Sequence, residues 1–162
     1  MCFFNKLKAK DVQDCFDNLW KTTDVIGFPK GASRNSVNFQ VSPYNSLKKD
    51  SCSHTMHVNS GKWRMHYNAY YRQKDKEVDF TIWYINLTIS NPDLEKAIKQ
   101  EYKEFQFNFM PSAVIVASKK YKVKNMEQVK DAFYSFIKDW NKSGVYELMS
   151  KFKTNEELKN SK

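Results

Sequence analysis

From His54 to Leu87 apolar and polar side chains alternate through three runs, HTMHV, WRMHYNAYYR and VDFTIWYINLTI. The turn segments NSG and QKDKE separate them. A period of two sustained over that length is the pattern of half-buried strands, and Gly, Asn and Asp between the runs mark hairpin connections. The segment is therefore expected to be a three-strand antiparallel meander. With Ser60 and Gly61 at the first hairpin tip, Val58 would face Trp63, Met56 would face Met65 and His54 would face Tyr67. His57 would then face Arg64, and Thr55 would face His66. At the second hairpin Arg72 pairs with Glu77, Tyr71 with Val78, Ala69 with Phe80, Tyr67 with Ile82 and Met65 with Tyr84. The side holding Met56, Met65, Tyr67, Phe80 and Ile82 is predicted to be core.

The flanking segments have a different period. Val12, Cys15, Phe16, Leu19 and Trp20 recur at helical spacing within 8–22. SVNFQVS alternates and reads as a further strand. Asn91-Pro92 supplies a cap and a first-turn proline for a helix whose apolar face carries Leu94, Ile98, Tyr102 and Phe105. SAVIVAS is a continuous apolar run, the pattern of a strand covered on both faces. Asn125 and Gln128 form a capping pattern before Val129, Phe133, Phe136, Ile137 and Trp140, and Gly144 stands where that helix should stop. Val145 to Phe152 suits one more short helix. The expected class is α+β: an antiparallel sheet of about five strands built round the meander, an N-terminal helix, and two or three further amphipathic helices packed on the sheet. Residues 1–152 form one domain in this reading, and 153–162 a polar tail that frays.

A chain of 162 residues with 41% hydrophobic and 15% aromatic side chains can bury a core without staples. Cysteine occurs only at Cys2, Cys15 and Cys52, which offers no disulfide framework and points to a reducing, cytoplasmic setting. No apolar run approaches the length of a membrane span, so no membrane contact is expected.

The net charge of +9 favours an acidic partner: nucleic acid, an acidic protein or a nucleoprotein. Of 27 basic residues only Arg34, Arg64 and Arg72 are arginines. Arginine is the commonest reader of guanine edges in the major groove, so sequence-specific duplex readout is disfavoured.

The polar side of the meander interleaves cations with rings. His57, Arg64, His66, Asn68, Tyr70, Arg72 and Trp83 share it, beside Asp79 and Thr81. Rings that stack on unpaired bases next to cations that hold phosphates characterise sheets that bind single strands or RNA. In SKKYKVKN, alternation places Lys120, Lys122 and Lys124 on one side. That stripe either tracks a phosphate backbone or protects a sheet edge against aggregation.

The primary expectation is a non-enzymatic basic module that contacts single-stranded nucleic acid or RNA through the aromatic and basic sheet face, without a cofactor. The alternative is a small inhibitor or accessory protein of a phage or mobile element that occupies the surface of a partner. A metal-dependent enzyme built on the histidines ranks third. On a strand His54 and His57 point to opposite faces, and a zinc ion between His57 and His66 would still need two more ligands, with Asp79 alone at hand. Cys52, His54 and Met56 share the other face as candidate core. GFPKGAS lacks the phosphate-loop spacing, and no GxSxG, CxxC or HExxH motif occurs.

Overall fold

In a computed structural model of the chain, residues 7–21, 38–41, 50–60, 62–85, 91–101, 108–109 and 113–161 are described. The class is α+β, as the alternation predicts. The strands are β1 (Asn38–Val41), β2 (Ser51–Ser60), β3 (Trp63–Arg72), β4 (Glu77–Ile85), β5 (Asn108–Phe109) and β6 (Ala113–Lys122). The helices are α1 (Ala9–Lys21), α2 (Pro92–Glu101), α3 (Met126–Ser143), α4 (Val145–Ser150) and α5 (Asn155–Asn160). The sheet order is β1-β2-β3-β4-β6-β5 with every neighbouring pair antiparallel. The meander occupies its centre.

The second hairpin has the expected register, from Arg72 opposite Glu77 to Met65 opposite Tyr84. The first differs. Ser60 pairs with Trp63, so the loop holds Gly61 and Lys62, and Met56 faces Tyr67 where Met65 was expected. Moving the tip by one position shifts each pairing by two residues, and side-chain parity survives. The meander side chains among the described residues therefore keep their predicted faces.

A bulge interrupts β4 and β6: Ile82 pairs with Ala117 and Trp83 with Ile115, leaving Val116 as the extra residue. Val116 and Ala117 both bury, although they are consecutive, while Ile115 stays half-buried beside Trp83. The continuous apolar run that suggested two covered faces is thus largely the mark of the bulge.

One core lies between the sheet and the helices. Met56, Met65, Tyr67, Phe80, Ile82 and Tyr84 from the sheet meet Val12 and Phe16 of α1, Leu94 and Ile98 of α2, Phe133, Phe136 and Trp140 of α3, and Met149 of α4. Phe80 is central, stacked on Phe136 at 5.3 Å and edge-on to Phe16 and Phe133 at 5.8 Å. Buried polar tips find partners within this core: Trp63 Nε1 donates to the Met149 carbonyl at 2.9 Å, and Trp140 Nε1 to the Tyr67 hydroxyl at 3.1 Å. The candidate positions Trp20, Phe39, Val41, Tyr102 and Phe105 carry side chains outside the described residues.

The helix ends follow their sequence signals. Asn91 Oδ1 accepts from Leu94 N at the start of α2, and Asn125 Oδ1 accepts from Gln128 N at the start of α3. Gly144 ends α3 at φ 70° and opens α4 directly. That left-handed conformation costs a residue with a Cβ about 1–2 kcal/mol. Gly144→Ala is accordingly expected to lower the melting temperature by roughly 2–8 °C, read by thermal denaturation. An unchanged transition would show that the α3–α4 joint relaxes into another geometry. Within the polar C-terminal stretch, Thr154 and Glu157 form a capping box that starts α5, and Lys62 pairs with Glu157 at 3.2 Å.

Candidate nucleic-acid interface

Because α1 to α4 all bury their apolar residues in the one core that the sheet's apolar side faces, none of these four helices lies on the other side. The polar residues of the meander stand on this second side in rows set by cross-strand register. One row runs Ser51, Arg72, Glu77, Lys122, and the next Ser53, Tyr70, Asp79, Lys120. A third holds Thr55, Asn68, Thr81 and Ser118, and a fourth His57, His66, Trp83 and Ile115. Placing β6 beside β4 brings Lys120 and Lys122 onto the face of the meander residues. That neighbour relation has no signature in local periodicity.

Of the candidate residues, Arg64, Lys120 and Lys122 are exposed, whereas His66, Asn68, Tyr70, Arg72 and Trp83 are half-buried. His57 is placed by backbone register alone, directly opposite His66 where a diagonal relation was expected. Lys124 lies past the end of β6, and its backbone N–H donates to Gln128 Oε1. The lysine half of β6, Lys119 to Lys122, has no further strand beside it among the described residues, because β5 pairs only with Val114 and Ile115. Edge protection and phosphate contact are both open to these lysines.

Two of the cations are already engaged. Arg72 donates through Nη2 to Glu77 Oε1 and lies 3.0 Å from Asp75 Oδ2 through Nε, while Lys122 Nζ lies 3.3 Å from Glu77 Oε2. Burial pulls the Glu77 carboxyl upward, yet the bonds and charge from Lys122 and Arg72 outweigh it and hold the group below its usual range. The Arg72 guanidinium also sits 5.5 Å from the centre of the Tyr70 ring, a cation–π arrangement. Arg64 and Lys120, by contrast, make no ion pair with any described residue. The rings form a second group: His66 stands edge-on to Trp83 at 4.7 Å with Ile115 alongside.

Asp79 is the remaining charge. Its carboxyl is pushed above the ordinary aspartate range by burial, an effect partly offset by Lys120 and Arg72. Its Oδ1 is shielded from solvent and meets no hydrogen-bond donor.

The core-side histidine has a different environment. His54 is 0% exposed, with Nε2 3.3 Å from Asp17 Oδ1 of α1. Cys52 and Met56 are buried around it, and burial pushes the Cys52 thiol up to about 12, well away from a thiolate. Among the described residues no three His, Cys, Asp or Glu side chains converge as metal ligands must, and no helix is long and apolar enough to cross a membrane. A concavity of about 510 Å³ lies between α1 and α3, lined by Asp11, Asp14, Leu19, Met126, Lys130 and Tyr134.

Comparisons with protein-family models, with curated proteins and with solved structures return no match for this chain.

Proposed function

We propose that the chain is a non-enzymatic module that binds single-stranded nucleic acid across the polar sheet face, in a reducing cytoplasmic setting where Cys15 and Cys52 remain thiols. The observation that carries the reading is the arrangement of that face: Arg64 and Lys120, which make no ion pair with a described residue, flank the half-buried rings of Tyr70, His66 and Trp83. Unpaired bases stack on such rings, and the cations neutralise the phosphates between them. Duplex DNA is disfavoured on this surface because a flat sheet face does not enter the major groove, and Arg72 is held by Glu77 and Asp75.

The test is a titration against single-stranded and duplex oligonucleotides at several salt concentrations. Affinity should fall steeply with salt, since counterion release sets the slope. Removing Arg64 and Lys120 together is expected to make the single-strand slope shallower by about 1.4, two phosphate contacts at about 0.7 each. Absence of binding to any oligonucleotide at low salt would remove the reading. A second reading, an inhibitor or accessory protein of a phage or mobile element that covers an acidic or nucleoprotein partner, uses the same Trp83, Tyr70 and Arg64, residue types that anchor interfaces. Capture of a protein partner that survives nuclease treatment would favour it.

A further inference from the structure

We infer that Asp79 reads the Watson–Crick edge of an unpaired guanine, so that the sheet face prefers guanine over the other bases in a single strand. The inference rests on the nucleic-acid reading above and adds base preference to it.

Asp79 makes no hydrogen bond or ion pair with a described residue, although the charges of Lys120 and Arg72 act on it. The other carboxylate of this face, Glu77, closes the β3–β4 hairpin through Arg72 and Lys122, whereas Asp79 sits one row inward between Tyr70 and Lys120. A negative charge in the middle of a phosphate-binding surface weakens attraction to the backbone, so its contribution must lie with something other than phosphate. Its Oδ1 has already lost water without gaining a donor. Turning the side chain about χ1 toward the polar face would bring both carboxylate oxygens within reach of a ligand, whose donors would supply the hydrogen bond that Oδ1 lacks.

The ligand follows from the acceptor. An ionised carboxylate only accepts. Guanine alone offers two adjacent donors, N1–H and an N2 amino hydrogen, on its Watson–Crick edge. Adenine and cytosine place one amino donor beside an acceptor ring nitrogen, and uracil places one N–H between two carbonyls, so each sets a lone pair against the second carboxylate oxygen. Tyr70 in the neighbouring strand supplies a ring beside the acceptor.

The folded-state shift gives an independent control. A carboxyl raised in the folded state contributes stability below the ordinary aspartate pKa of about 3.9 and loses it as pH rises through the folded value, so at neutral pH the ionised group works against the fold. Asp79→Asn should therefore keep or raise the melting temperature.

The experiment measures affinity by fluorescence anisotropy for short oligouridylates, and their deoxyuridine counterparts, carrying one central guanine, adenine, cytosine or no substitution. The wild-type chain is expected to bind the guanine form roughly tenfold more tightly than the adenine form, within the range of a bidentate base contact. Asp79→Asn should reduce that ratio to within about twofold while binding the unsubstituted strand at least as tightly, because a negative charge has gone. A ribose-only preference would identify RNA as the ligand, and equal preference in both sugars would leave guanine itself as the determinant. Equal affinity of the wild type for all four strands would overturn the inference and leave the sheet-face reading standing. Failure to bind any strand would overturn both.

Discussion

Phe80→Ala is expected to lower the melting temperature by roughly 6–20 °C, the largest stability change of any single substitution considered. Phe80 is fully buried, and its ring touches α1 through Phe16, α3 through Phe133 and Phe136, and β6 through Tyr121 at 5.9 Å. Removing it deletes contacts to three elements at once, and their rings cannot close the gap without leaving the sheet. Truncation of a buried phenylalanine costs about 3–5 kcal/mol, and a chain of this length loses about 2–4 °C per kcal/mol. Differential scanning calorimetry decides it. A fall below that range would mean that the layers collapse onto the cavity, and that the ring cluster is less rigid than its geometry implies.

The second large effect is on binding. The combined variant Arg64→Ala, Tyr70→Ala and Trp83→Ala is expected to weaken single-strand affinity by at least roughly a hundredfold, since each stacked base contributes about 1–3 kcal/mol and the arginine holds a phosphate. Its melting temperature should move much less than that of Phe80→Ala, because the three side chains lie on the side of the sheet that α1 to α4 leave open. Arg72→Ala is the informative contrast: it removes the partner of Asp75 and one of the two cations that hold Glu77 at the hairpin end, and should cost stability more than affinity. The effects within the triple variant need not add, since Tyr70 and Trp83 serve one strand of ligand. A large loss of stability with binding intact would assign the face to structure.

Much of this fold is legible in the sequence because parity is robust. The tip of the first hairpin was misplaced by one residue, yet Trp63, Met65 and Tyr67 still entered the core and Arg64 and His66 still left it. The caps at Asn91, Asn125 and Gly144 were equally legible, since each depends on chemistry within a few residues. What stayed hidden was non-local. Nothing in SKKYK announces that Lys120 faces Asp79, nor does SAVIVAS separate a doubly covered strand from one with a bulge at Val116. The engagement of Arg72 was anticipated at Glu77; its approach to the Tyr70 ring was not.

The α1 helix packs on β2 and β3 and meets α3, so residues near the beginning of the chain share an interior with residues more than a hundred positions later. During synthesis α1 emerges before the meander and can cover its patch on β2 and β3, whereas the apolar patch that meets α3 stays exposed until α3 has cleared the ribosome. Deleting α1 would bare its patch on β2 and β3 for good, whereas the patch beneath α3 is bare only while the chain is being made.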